Sequence, residues 1–167
     1  MQIQIDSREH KSEAERIKAQ FDKLGVEYFT SKLYVGDYMS LDNPRLIIDR
    51  KKDLMELCGN VTQQHERFRL ELLRAQDAKI NMIILCEHGS GITCLEDVLF
   101  WKNPRYKEYR WVTSNGQPRR VPIPPNKRAI NGDKLFKSLQ TIRGRYGVRF
   151  VFCDKTETGA KIVELLR

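Results

Sequence analysis

Hydrophobic residues follow two spacings along the chain, and together they predict a regular succession of strands and helices. Ile80–Cys86 is apolar apart from Asn81, which is typical of a central strand covered on both faces. The predicted strands are Gln2–Asp6, Glu27–Leu33, Val35–Ser40, Arg45–Arg50, Ile80–Cys86 and Val148–Cys153. After the first helix, the predicted helical segments are Asp53–Ala78, Cys94–Trp101, Asp133–Arg145 and Thr158–Leu166.

The first helix carries recognisable signals at both ends. Ser12 and Glu15 have the spacing of a capping box, in which each side chain hydrogen-bonds the other residue's backbone N–H. Apolar residues then recur at helical spacing up to Leu24, and Gly25 ends the helix. The later tract Asp53–Ala78 is consistent with one long helix or with two that separate near Gly59-Asn60.

The alternation of strands and helices predicts an α/β fold, with a mixed sheet covered by helices. At 167 residues, the chain is long enough for one domain with a substantial core and short for two. A single domain over residues 1–167 is therefore expected.

Composition narrows the protein class. No stretch approaches the apolar length of a membrane span, and the first ten residues lack the pattern of a secretion signal, so an intracellular protein without membrane contact is expected. The four cysteines are widely scattered, and no disulfide is predicted. Cys86 and Cys153 lie in apolar runs and are expected to act as small core residues.

Positive charge is concentrated in one segment. The net charge is +8, and residues 102–128 alone contribute +7. This segment also holds five of the six prolines, and it is predicted to be a basic, Pro-rich loop or arm that contacts a polyanion. Its basic residues are Lys102, Arg105, Lys107, Arg110, Arg119, Arg120, Lys127 and Arg128.

Carboxylates and a lysine lie at the ends of predicted strands. Side chains alternate along a strand, so Asp49 and Lys51 share a face, and Asp37 reaches the same place if its strand pairs with theirs. Acidic oxygens that gather at one edge repel each other unless a cation lies between them, and Mg²⁺ or Mn²⁺ suits such ligands. Lys51 could then orient or deprotonate a metal-bound water, or stabilise the charged phosphorane. Spacing alone leaves open the alternative of ordinary ion pairs at strand ends.

Three short motifs in this order resemble one known family. They are IDSRE (Ile5–Glu9), VGDY (Val35–Tyr38) and IIDRK (Ile47–Lys51), and they are similar to motifs in the nuclease domain of the XPF/Hef structure-specific endonucleases. That family belongs to the restriction-endonuclease-like PD-(D/E)xK superfamily. The resemblance implies a restriction-endonuclease-like mixed central sheet flanked by helices, and cleavage of DNA.

The resemblance also implies roles for individual residues. The implied metal ligands are Asp37, Asp49 and the backbone carbonyl of Arg50, and Lys51 is the implied catalytic lysine. The remaining implied catalytic residues are Asp6 and Glu9. The residues assigned to DNA contact near the site are Arg8 and Arg67.

The chain departs from the family pattern in three ways. Asp49 stands where the family usually has Glu, which shortens the ligand by one methylene. Asp53 follows Lys51 too closely to take the role of the family's trailing Asp. No helix-hairpin-helix pattern follows the nuclease motifs, so a stand-alone module is expected, of a kind that suits a phage or another mobile element.

Aromatic residues are interleaved with the cations of the basic segment. Their rings could stack on unpaired bases of flaps, forks or junctions while the cations bind phosphates. They are Trp101, Tyr106, Tyr109 and Trp111. The alternative is a solvated loop whose rings pack onto the core. Arg119-Arg120 and Lys127-Arg128 could become ordered only on DNA.

The sequence therefore predicts a divalent-metal-dependent endonuclease for branched, flap or fork DNA, and by family likeness a homodimer. One alternative is a catalytically weak subunit that only binds DNA junctions. Another is a structural α/β subunit whose basic arm docks on an acidic protein. A zinc site at Cys86, His88 and Cys94 is a weaker hypothesis, because a fourth ligand is missing.

Overall fold

A computed structural model describes residues 1–89, 91–107, 109–124 and 129–167. The strands are β1 (Gln2–Ile5), β2 (Glu27–Thr30), β3 (Tyr38–Ser40), β4 (Asn43–Lys51), β5 (Asn81–Glu87), β6 (Tyr109–Ser114), β7 (Gln117–Pro122) and β8 (Arg149–Cys153). The α-helices are α1 (Lys11–Lys23), α2 (Leu54–Val61), α3 (His65–Asp77), α4 (Gly132–Tyr146) and α5 (Thr158–Leu166). A 3₁₀ helix covers Glu96–Phe100.

Six strands form one mixed sheet in the order β2-β1-β3-β4-β5-β8. The strand β3 is antiparallel to both neighbours, whereas β4, β5 and β8 run parallel to one another. The predicted α/β fold with a mixed central sheet flanked by helices is confirmed.

Each face of the sheet carries its own apolar core. Ile47 and Ile84 pack with α2, α3 and α4 on one face, while the adjacent Ile48 and Ile83 pack with α1 and α5 on the other. The continuous apolar run of β5 is therefore explained, because both faces of that strand are covered. Alternation also sends Asp49 and Lys51 to the α2–α3 side and Arg50 to the α1–α5 side.

Two expectations about the helices are settled by the structure. The capping-box prediction was wrong, because α1 begins at Lys11 with the extended residue His10 as its N-cap, and the Ser12 hydroxyl contacts the His10 ring over 3.0 Å. The tract after β4 is two helices: Gln64 N–H donates to the carbonyl of Gly59 over 3.0 Å and reverses the chain between them. Asp53 caps the first of these helices by accepting from Glu56 N–H.

The basic segment is more regular than predicted. Its residues Tyr109–Pro122 form a two-stranded antiparallel hairpin, β6–β7, separate from the central sheet. Asn115 and Gly116 both have positive φ at the turn, as a two-residue hairpin loop requires. The Asn-Gly pair was the available sequence signal, and the prolines lie at positions that an isolated ribbon tolerates.

No helix among the described residues is long and apolar enough to cross a membrane. Cys86 and Cys153 are buried, as expected, and all four cysteines are free thiols.

Candidate active site

Asp37 is fixed against β4 by two hydrogen bonds to backbone groups, one of the residue before Asp49 and one of the residue after it. Its N–H donates to the carbonyl of Ile48 over 2.8 Å, and its Oδ2 accepts from the N–H of Arg50 over 2.7 Å. Asp37 and Asp49 therefore lie side by side, although they are distant in sequence. Together with Lys51 they line an open groove of about 1070 Å³.

The position of Asp37 depends on the glycine before it. Gly36 has φ +66°, and a Cβ there would collide with Ile47 Cγ2 and lie 3.1 Å from the carbonyl oxygen of Ile48. Its N–H donates to Glu71 Oε1 of α3 over 3.3 Å. Only glycine combines this backbone conformation with such close approach to β4.

Asp49 and Lys51 form a buried ion pair, with 4% and 7% of their surfaces exposed. Lys51 Nζ lies 2.7 Å from Asp49 Oδ2, and 5.4 Å from the centre of the Phe68 ring on α3. Asp49 Oδ2 is buried, and the Lys51 ammonium is the charged group that faces it. Carboxylate oxygens such as those of Asp37 and Asp49 are the ligands that a hard cation prefers.

Burial and neighbouring carboxylates disfavour the charged forms of both aspartates. Burial, reinforced by repulsion from Asp49 and Glu9, raises the pKa of Asp37 well above its ordinary value. Burial also raises the pKa of Asp49, despite the adjacent Lys51 ammonium. A divalent cation between the two aspartates would stabilise their charged forms.

Lys51 is a cation in this arrangement. Burial by itself would lower the pKa of Lys51, but the carboxylates of Asp49 and Asp37 outweigh it and raise that pKa above the ordinary value. Orientation of water and stabilisation of negative charge are roles that an ammonium group can perform, and the predicted deprotonation of water stays a prediction.

The residues that could hold a hard cation are Asp37 and Asp49, with the predicted backbone carbonyl of Arg50. Among the residues that the structure describes, no group of three or more His, Cys, Asp or Glu side chains could hold a metal ion. A cation at this position would therefore take its remaining ligands from water or substrate, as Mg²⁺ commonly does. The same finding gives no support to zinc at Cys86, His88 and Cys94.

Asp6 has a mainly positioning role in this structure. It is buried, and its two oxygens accept from the Arg8 side chain, the Arg8 N–H and, over 2.7 Å, the Leu33 N–H. Burial by itself would raise the pKa of Asp6, but these hydrogen bonds together lower it. Asp6 therefore fixes the rim of the groove, and its predicted catalytic role stays a prediction.

Glu9 is bound by the side chain of Arg50, which leaves β4 on the α1–α5 side. Arg50 Nη2 lies 2.9 Å from Glu9 Oε1, and the Tyr38 hydroxyl donates to Glu9 Oε2 over 3.3 Å. Glu9 thus lines the groove, as predicted, but its carboxylate forms an ion pair with Arg50.

Glu87 completes a buried ionic network behind the site that the sequence reasoning missed. Arg50 Nη1 donates to Glu87 Oε2 over 3.0 Å, while Arg16 and the Thr158 hydroxyl donate to Oε1. The network joins β4 and β5 to α1 and α5. An acidic residue at the end of the most apolar strand was the available signal.

The sequence matches the ERCC4 domain over residues 5–166. The chain belongs to the ERCC4 domain family. The predicted resemblance to the XPF/Hef nuclease domain is confirmed at the level of the family.

Solved structures with this fold include XPF from Aeropyrum pernix, with 17% sequence identity and a TM-score of 0.62. The match covers all of this chain and 64% of that one. XPF from the same organism in complex with DNA matches with 17% identity and a TM-score of 0.61, covering 99% of this chain and 63% of that one. The ERCC4 domain chain thus spans less than two thirds of the XPF chains, and at this identity the likeness establishes the fold. No curated protein matches the sequence.

Cations of the ERCC4 domain surround the acidic centre. Arg8, Arg67 and Arg105, all predicted to contact DNA, line the groove. Arg74 and Glu71 line it too and were missed, although they share a face of α3 with Arg67 at helical spacing.

The other predicted DNA-binding residues of the ERCC4 domain lie farther along the basic segment. Lys102, Lys107 and Arg110 line a second pocket at the base of the hairpin. Arg119 and Arg120 are exposed on β7, whereas Lys127 and Arg128 fall outside the described residues. The prediction that Trp101 is available for stacking was wrong, because this ring is 8% exposed and belongs to the core.

Proposed function

We propose that this ERCC4 domain is a divalent-metal-dependent endonuclease that hydrolyses phosphodiester bonds in branched, flap or fork DNA. The observation that carries the proposal is the placement of Asp37 and Asp49 beside Lys51 in an open groove rimmed by arginines. Burial and neighbouring carboxylates raise the pKa of both aspartates, and bound Mg²⁺ or Mn²⁺ would stabilise their charged forms.

The chain's own residues have distinct parts in this reaction. Asp37 and Asp49 hold the cation, which when bound acidifies water and offsets charge on the phosphate. Lys51, held by Asp49 and the Phe68 ring, donates hydrogen bonds toward the attacking water or the reacting phosphate. The Arg50 side chain points away and fixes the strand from behind.

Substrate binding would rest on the cations around the groove. Arg67 on α3 and Arg105 are exposed and line the groove, so both can bind phosphates on either side of the scissile bond. DNA is the partner that this charge distribution favours. An intracellular location and a homodimer remain proposals, and sedimentation of the purified protein tests the dimer.

A gel assay with a labelled fork tests the function. Cleavage should require Mg²⁺ or Mn²⁺ and stop in excess chelator. Binding of the fork without any metal-dependent cut would instead indicate a junction-binding subunit. If the domain neither binds nor cleaves the fork, both functions are rejected. Equal cleavage with and without chelator would reject the metal assignment.

A further inference from the structure

A second pocket of about 550 Å³ lies where the hairpin joins the domain. Its cationic lining residues are Lys102, Lys107 and Arg110, and its aromatic ones are Tyr106, Tyr109 and Trp111. The described lining includes no carboxylate. Aromatic faces among cations favour a ligand that has both flat rings and negative charge.

The aromatic wall is preorganised on one face of the hairpin. Tyr109 and Trp111 point the same way along β6, with ring centres 6.2 Å apart and planes at 90°. Arg120, the cross-strand partner of Trp111, lies with its guanidinium carbon 4.4 Å from the Tyr109 ring centre and 5.1 Å from that of Trp111. Such contacts restrict both rings before any ligand arrives.

The exposure of Trp111 is unusual for so large an apolar group. This ring is 60% exposed, whereas Trp101, the other tryptophan, is buried in the core. Because the hairpin holds Trp111 open to solvent beside cations, a stacking partner would recover much of the apolar surface.

The opposite wall of the pocket is rigid. Asn103 is buried, and its Nδ2 donates to the carbonyl of Ile130 over 2.8 Å. Its Oδ1 accepts from the N–H of Arg105 over 2.9 Å, and its own N–H donates to Asn131 Oδ1. The turn that carries Lys102 and Lys107 is therefore anchored to the core.

The same turn links the pocket to the catalytic groove. Arg105 lines the groove, whereas Lys102 and Tyr106 line the second pocket. A strand bound to Arg105 therefore has Lys102 and Lys107 of the second pocket close by along the same turn.

We infer that this pocket binds an unpaired nucleobase of a DNA strand, stacked on Trp111 with its edge toward Tyr109, and with its flanking phosphates on Lys102 and Lys107. A base inside a duplex has both faces covered by its neighbours and cannot make this contact. The inference rests on the proposed function in one respect, that DNA is the ligand of the groove, and it gives the domain a site for the unpaired arm of its substrate.

Binding of a short, labelled oligothymidylate in excess chelator tests the inference without any cleavage. Trp111→Ala should weaken binding about tenfold, the order expected for one lost base stack. Val112→Ala is the matched control, because Val112 pairs with Arg119 on the opposite face of the same hairpin. Trp111→Phe should retain most of the affinity, since it keeps an aromatic face.

An oligonucleotide with abasic sites separates base stacking from phosphate binding. Abasic DNA keeps the phosphates, so it should bind wild type as weakly as intact oligothymidylate binds Trp111→Ala. Intact oligothymidylate should also quench tryptophan fluorescence in wild type and much less in Trp111→Phe. Equal affinity of wild type for abasic and intact strands would overturn the inference, as would equal loss in Trp111→Ala and Val112→Ala.

Failure of this site and failure of the proposed function are distinguishable. The binding assay contains chelator, so its result does not depend on whether the domain cuts DNA. A domain that binds intact strands through Trp111 but never cleaves a fork would retain this pocket and lose the nuclease assignment. A domain that cleaves forks but binds abasic and intact strands equally would keep the nuclease assignment and lose this pocket.

Discussion

The backbone N–H of Arg50 donates to Asp37 Oδ2 over 2.7 Å, while the guanidinium of Arg50 is held behind the strand by Glu87 over 3.0 Å. One residue thus fixes the first aspartate by its main chain and the strand by its side chain. Because Asp49 and Lys51 flank it, their orientation toward the groove follows from the same anchoring.

Replacement of Asp49 by Asn should abolish cleavage and leave fork binding largely intact. The substitution keeps the shape of the side chain but removes the charge that would hold the cation, whereas the arginines that bind phosphates are unchanged. Cleavage and binding are measured on the same labelled fork. Asp77→Asn, at the exposed end of α3, is the matched control, and full activity of Asp49→Asn would contradict the assignment of Asp49.

Gly36→Ala should lower the free energy of unfolding by about 3 kcal/mol, because it combines backbone strain with a clash. Gly25→Ala isolates the strain: Gly25 has φ +64° but open space around its Cβ, so a loss of about 1 kcal/mol is expected. Urea denaturation compares the two variants. Equal losses of unfolding free energy in the two variants would show that the close approach of Gly36 to β4 does not contribute.

Asp37→Asn should stabilise the protein near neutral pH by about 1 kcal/mol, since it relieves repulsion and Asn can still accept from the Arg50 N–H. The pKa of Asp37 is raised, so the folded state binds its proton more tightly than the unfolded chain. Stability of the wild type is therefore lost as the pH rises above the ordinary carboxyl value.

Thermal unfolding of Asp37→Asn and wild type across pH measures this effect. The advantage of the variant should be present at neutral pH and disappear in acid, where Asp37 is protonated. Mg²⁺ should raise the melting temperature of wild type more than that of the variant, because the cation binds the folded site. A variant less stable than wild type at neutral pH would contradict the predicted repulsion.

Glu87→Gln should destabilise the fold by about 3 kcal/mol, because a fully buried carboxylate that receives three donors would lose its charge. The exposed ion pair Lys161–Glu164 supplies the control, and Glu164→Gln should cost less than about 1 kcal/mol. Chemical denaturation measures both. Similar losses of unfolding free energy in the two variants would show that the buried network of Glu87 stabilises the fold no more than an exposed ion pair does.

Replacement of Tyr109–Pro122 by a short Gly-Ser linker should weaken DNA binding and flatten its salt dependence. The hairpin carries Arg110, Arg119 and Arg120, so the slope of log K against log salt should fall by up to about 3 if each binds a phosphate. Removal of the whole basic segment, residues 102–128, is less informative, because the buried Asn103 near its start supports the core. An unchanged slope would exclude the hairpin from phosphate binding.

The sequence by itself determined the features that arise from local periodicity and charge. Alternation along β4 placed Asp49 and Lys51 on one face and Arg50 on the other, and the three motifs identified the family. Even the hairpin had a local signal in Asn115-Gly116, although the prolines favoured a loop.

Only the tertiary structure decided which distant residues meet. Asp37 reaches Asp49 because Gly36 takes a left-handed conformation that packs against Ile47, and no spacing rule contains that contact. Burial likewise separated Trp101 from Trp111, which each adjoin a cation in sequence but have opposite exposure. The periodicity of the sequence determines which way a side chain points on its own helix or strand. The residues that this side chain contacts depend on how the helices and strands pack together.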